Sequence, residues 1–129
     1  MMEEDLRALL TGSADVIAIA PIARINWGAH PQGMPLPGVI LTVVDNAEGL
    51  VMNGPNGLFE GRVQIDCYAE TLDQAKALAR AIRPVLHGYR DTNFRLVTHV
   101  ATRDSREGGA NEPDRPHRVS MDFTTAWRA

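Results

Sequence analysis

Between residues 59 and 70 apolar and polar positions alternate strictly. Phe59, Gly61, Val63, Ile65, Cys67 and Ala69 fall on one side, and Glu60, Arg62, Gln64, Asp66, Tyr68 and Glu70 on the other. A period of two predicts a strand with one buried face and one face that is wet or covered by something polar, the mark of an antiparallel sheet. The spacing then turns helical at once. Ala75, Leu78, Ala79, Ile82 and Leu86 form one continuous stripe, as an amphipathic helix requires. Thr71 stands where an N-cap belongs, with Gln74 three residues on, so a capping box is available. Gly88 stands where a left-handed C-terminal residue belongs. Pro84 breaks the helical rule, because it removes a backbone donor and crowds the preceding turn, and it predicts a kink or break near residues 82–84.

The remaining elements follow from the same patterns. Residues 2–11 read as a helix with Glu3, Glu4 and Asp5 in its first turn, Leu6, Leu9 and Leu10 as its stripe and Gly12 as its stop. Ser13 is placed to cap a short helical turn over residues 14–20, ended by Pro21. Residues 24–38 carry Gly28, Pro31, Gly33, Pro35, Pro37 and Gly38 and read as a stiffened loop. Val39 to Val44 is β-branched and apolar on both faces, which predicts a central strand. Asn53-Gly54 and Pro55-Asn56-Gly57 then make residues 45–58 a hairpin connection. Two further strands alternate over 94–103 and 118–128. The polar stretch between them, 104–117, is rich in Gly and Pro and reads as a flexible loop, long enough to be functional or disordered. The fold class expected is α+β: a mostly antiparallel four-stranded sheet with helices packed on one face, in a single domain over residues 1–129.

Composition adds exclusions. The 129 residues are 44% hydrophobic and 22% charged, an ordinary globular balance, with a net charge of −3 that lacks the basic footprint of nucleic-acid or membrane binding. No stretch has the length of a membrane span. The beginning, MMEEDLRALL, is acidic where a secretory signal would be basic, which places the chain in the cytoplasm or in something assembled there. The single cysteine, Cys67, has no partner for an internal disulfide and lies on the apolar side of its strand, so it reads as a small buried hydrophobe.

Catalytic chemistry is not written in the motifs. His30, His87, His99 and His117 lack metal-ligand spacing, and neither a phosphate-binding Gly-Lys-Ser/Thr run nor a GxSxG elbow occurs. No catalytic, cofactor or metal residue is assigned. Folding could still bring Asp66 or Asp122 beside His99, but three scattered residues are what any chain of this size offers. The polar strand faces say more. Arg62, Gln64, Asp66 and Tyr68 on one strand, with Arg118, Ser120, Asp122 and Thr124 on another, make a mixed-charge face. The plainer explanation is a solvated surface; the sharper one is a face packed on another copy, where Arg and Tyr are common anchors. Long edge strands also need cover or pairing, which a ring of subunits provides.

The run NGPNGLFEGRVQIDCYAETLDQAKALARAIRPVLHGYRD, residues 53–91, resembles the tail-completion, or tail-terminator, family of long-tailed bacteriophages and phage-like particles. The matching features are the Gly-Pro turn, a strand ending Asp66-Cys67-Tyr68-Ala69, and the Ala/Leu-rich helix closing on Gly88. The N-terminal Leu-rich helix and the Pro-rich approach to the first strand extend the likeness over residues 3–91, and the last third matches in strand pattern only. Pro84 and Gly38-Val39 depart from the family pattern. The resemblance implies a structural virion protein without cofactor. It would form a homo-oligomeric ring, commonly a hexamer, on the head-proximal end of the tail tube, stop tube polymerisation and meet the head-side connector or neck protein. DNA would pass the lumen without specific binding. It places Arg62, Gln64, Asp66, Tyr68, Arg118, Ser120 and Asp122, with Arg106 and Arg115 on the long loop, at a subunit or tube interface. The reading from another class is a small cytoplasmic ligand-binding or regulatory domain that dimerises through its sheet; it predicts an apolar pocket between sheet and helices.

Overall fold

Helix α1 (Met2–Thr11) carries its three acids in the first turn, and Met2, Leu6 and Leu10 are its buried stripe. Ser13 caps α2 (Ala14–Ile19) by accepting from the backbone N–H of Val16. A single 3-10 turn, Ile22–Arg24, leads into β1 (Ile25–Trp27). The other elements are β2 (Gly38–Val51), β3 (Gly54–Ala69), α3 (Leu72–Leu86), β4 (Phe94–Arg106) and β5 (His117–Arg128). These come from a computed structural model that describes residues 2–30, 33, 35–52, 54–106 and 116–128. Most of the expected loop 104–117 therefore lies outside the described residues; within it, 104–106 prolong β4 and His117 opens β5.

The sheet has five strands in the order β1-β2-β3-β5-β4. It is mixed rather than purely antiparallel, because β1 runs parallel to β2 with Ile25, Asn26 and Trp27 opposite Val39, Ile40 and Leu41. This corrects the four-stranded expectation. A three-residue strand has no period to read, and the Gly and Pro residues around it signal only a loop. Side-chain bonds hold β1 to α1: Arg7 Nε donates to the Ile25 carbonyl at 2.7 Å and Trp27 Nε1 to the Glu3 carbonyl at 2.9 Å.

One face of the sheet carries the core. Val39, Leu41, Val63, Ile65, Met121 and Phe123 pack there against Leu6, Leu10, Val16, Leu78, Ile82 and Leu86, all essentially fully buried. Helix α3 lies over β3 and β5 with α1 and α2 beside it. Thr71 caps α3, its hydroxyl accepting from Gln74 N at 3.2 Å. The helix does not break at Pro84 but runs on to Leu86. Pro84 and Arg80 are both exposed, so the Arg80 carbonyl left without its helical donor faces water, and the proline sits only one turn from the end.

Two further expectations change. Residues 45–58 return the chain as the expected hairpin, but strand pairing runs almost to its tip. They pair as a long hairpin arm, Asp45 opposite Arg62 through Val51 opposite Gly54, with register shifts between Val43 and Asp45 and between Glu48 and Leu50. Gly61 permits the first bulge, since a Cβ there would lie 2.5 Å from the Asp45 carbonyl oxygen. The second change is at Gly38, where the family pattern has a bulkier residue. A Cβ at this buried position would come within 2.5 Å of the His30 ring, which accounts for the glycine.

Candidate interface on the open face of the sheet

Strands β3 and β5 are antiparallel neighbours, and their polar positions meet in pairs on the side away from the helices. Arg62 lies opposite Thr124, Gln64 opposite Asp122, Asp66 opposite Ser120 and Tyr68 opposite Arg118. All eight strand residues singled out from the alternation therefore share one face. At its centre is a closed network. Ser120 Oγ donates to Asp66 Oδ1, and Gln64 Nε2 donates to both Asp66 oxygens at 3.0 and 3.1 Å. Asp66 and Ser120 are only 6% and 3% exposed, although no helix covers them. They are screened by one another and by the longer side chains around them, so a charge-assisted network holds this face in one arrangement.

Arg103 was not among the residues expected here. Its guanidinium donates to Asp122 at 2.6 and 3.3 Å, a bidentate pair. That bond holds the Asp122 carboxyl below the usual carboxylate range against the opposing effect of burial, with Arg103 raised in return. Strict alternation puts Arg103 on the same side as Val97 and His99. The real strand has register shifts between Phe94 and Leu96 and between His99 and Ala101. Beyond the second shift the parity reverses, and Arg103 joins the open face. The first shift likewise takes Leu96 and Thr98 off the face of the buried Phe94, so that they line the open face and Val97 the core.

The acid–histidine pairing does not form. His99 points to the helix side, with its ring 5.3 Å from Phe123 and 6.2 Å from His87, while Asp66 and Asp122 lie across the sheet. Burial first, then the positive charges of Arg83 and His87, push the His99 imidazole below its ordinary value. Among the described residues no group of three or more metal-ligating side chains comes together. Arg106 closes β4 opposite His117. Arg115 lies outside the described residues. A hollow of about 580 Å³ is lined by Asp45, Glu60, Arg62, Leu96, Thr98 and Thr124. It opens on this same face; a smaller hollow of about 220 Å³ lies between the sheet and α3.

Cys67 is fully buried on the helix side. Burial, then the neighbouring Asp66 charge, pushes its thiol far above the ordinary value. Maleimide labelling of the folded protein is expected to run about 100-fold or more slower than in denaturant, because the thiol reacts only through opening of the sheet. Labelling at equal rates in the two states would show that β3 is not packed as described.

A five-stranded mixed sheet with one face closed by helices and the other presenting a fixed polar network is the frame of a small α+β module. The chain belongs to the tail completion protein gp17 family, whose model matches residues 4–128. The match takes in the last third of the chain, where the resemblance read from residues 53–91 rested on strand pattern alone. The fold is similar to that of a chain in the solved virion of a native gene transfer agent particle, with a TM-score of 0.64 at 19% identity over 96% of this chain and 92% of that one. No curated protein matches the sequence.

Proposed function

We propose that this protein is a structural component of a phage or phage-like virion that caps the head-proximal end of the tail tube. Subunits assemble into a ring, hexameric in this reading, which stops tube polymerisation and joins the tail to the head connector. It catalyses nothing and takes no cofactor; assembly happens in the bacterial cytoplasm, and DNA passes the lumen without specific binding. Family membership over residues 4–128 carries the reading. The open face supports it, since Arg62, Tyr68 and Arg118 surround a network that is already formed in the single subunit, and a preformed surface loses little on docking.

Arg and Tyr anchors typically carry about 2 kcal/mol or more each when an interface is cut back at them. The variant Arg62→Glu/Tyr68→Ala is therefore expected to fold normally yet fail to restore joined particles to a strain lacking the gene. Electron microscopy of that strain should show separated heads and tails of uncontrolled length. Joined particles of normal tail length without the protein would refute the function. Full rescue by the double variant would refute the role of this face.

A further inference from the structure

Two backbone edges of the sheet stay open, and they lie at opposite sides. Strand β1 pairs only with residues 39–41, and Gly28 N reaches the Leu41 carbonyl, so residues 42–51 of β2 have no strand outside them among the described residues. At the other side, the connection after α3 covers the first half of β4. Gly88 N donates to the Val97 carbonyl, Val97 N to the Tyr89 carbonyl, and His99 N to His87 Nδ1. That cover ends at His99 and, among the described residues, leaves residues 100–106 of β4 as the open length.

The two edges are complementary. Residues 44–60, which make the hairpin arm, include Asp45, Glu48 and Glu60 and not one Lys, Arg or His; Asp45 and Glu60 lie on the open face, and Glu48, opposite Phe59, lies on the helix side. Beside the open length of β4, a groove of about 220 Å³ runs between the strand and α3, lined by Lys76, Arg80, Arg83, Thr102 and Asp104. Lys76 is paired with Asp104 at 3.0 Å, while Arg80 and Arg83 are exposed. Each edge also shows one exposed valine at its bulge, Val44 at 53% and Val100 at 47%. Unpaired backbone along an edge strand is what a protein normally covers or pairs.

We infer that the occupant of each edge is a second copy of this chain: the β2 edge of one subunit lies along residues 100–106 of the next, with Glu48, on the helix side of the arm, towards Arg80 and Arg83. Because the joined patches differ, the contact is head-to-tail and repeats until rotation closes it. The inference rests on the reading of the protein as a ring former, and it names the surfaces that make the ring.

The test uses two full-length variants, Glu48→Lys on the arm and Arg80→Glu/Arg83→Glu on the helix. Each alone sets like charges against like and is expected to weaken self-association about tenfold or more by sedimentation. Mixed one to one, every arm finds a groove of opposite sign in an alternating order, and association returns to the wild-type level. That rescue also excludes misfolding as the cause of the loss, and far-UV circular dichroism checks it independently. Variants that associate like wild type, a mixture that stays apart, or wild-type protein that remains monomeric at millimolar concentration would each overturn the contact. Negative-stain images separate the two levels of the argument. Rings indifferent to both swaps refute this contact and leave the ring; swap and rescue in assemblies that never close support the contact and refute the ring.

Discussion

Phe123→Ala is expected to destabilise the domain by about 3–5 kcal/mol. The ring is fully buried on β5, opposite Val63 of β3 and edge-on to His99 at 5.3 Å. It lies beneath α3 at the join of helix, β3 and β4, so the space it vacates is walled by elements already fixed to one another, and little collapse is available. Removing it also strips the apolar neighbour from His99, whose N–H donates to His87 and so helps cover the β4 edge. Set against a total of about 5–15 kcal/mol for a domain of this kind, the loss brings the variant near unfolding at ambient temperature. Urea denaturation should show the midpoint falling with little change in slope. Phe123→Leu, which keeps most of the volume, should lose much less, and Thr124→Ala, one residue on but across the sheet, should stay within about 0.5 kcal/mol of wild type. If Phe123→Ala behaves like Thr124→Ala, the assignment of faces along β5 is wrong.

That assignment of faces was the part of the fold most open to reading. Along β3 and β5 nothing interrupts the two-residue period: Val63, Ile65 and Cys67 face Phe123, Met121 and Val119 with no bulge between them. The polar set opposite them then follows from arithmetic, and those eight residues do lie together. Helix α3 was legible for the same reason, its buried residues being the stripe itself. The failures share a physical cause. A bulge adds one residue to one strand, and every later side chain changes face; β4 does this twice, and the pattern before the bulge says nothing about the residues after it. Arg103 was missed on that account, although its partner Asp122 was found. In the arm, Gly54 and Gly57 read as turn formers, but Gly57 lies within β3, and Gly54 at φ 115° opens that strand directly after the turn. Glycine marks where backbone must come close or bend left, and sequence alone does not distinguish a turn from a bulge at such a point.

Replacing Asp66 should show whether the open face is preformed or merely wet. In a solvated face, Asp66→Ala would cost a few tenths of a kcal/mol. Here the carboxylate is 6% exposed and accepts from Ser120 and Gln64, so its removal leaves a buried hydroxyl without its acceptor and frees the Gln64 amide. The expected loss is about 2 kcal/mol, in the range for hydrogen bonds to charged groups. Ser120→Ala removes one of the donors to the same carboxylate and should cost about as much. The two changes remove a shared bond, so the double variant should fall short of the sum by about 1 kcal/mol or more, a coupling that a double-mutant cycle in urea measures directly. Additive losses would mean that the short Ser120–Asp66 contact contributes nothing. The consequence for assembly follows from position. Arg62 and Tyr68 lie on either side of Gln64 and Asp66 along β3, with Arg118 opposite Tyr68, so the network fixes the rungs between the candidate anchors. Asp66→Asn keeps the shape and an acceptor oxygen, and should retain both stability and docking better than Asp66→Ala. If Asp66→Ala remains folded but docks more weakly than its lost stability explains, the network's function is to hold the anchors in place. If docking falls only in step with the folded fraction, the network serves the subunit alone, and the anchors act without it.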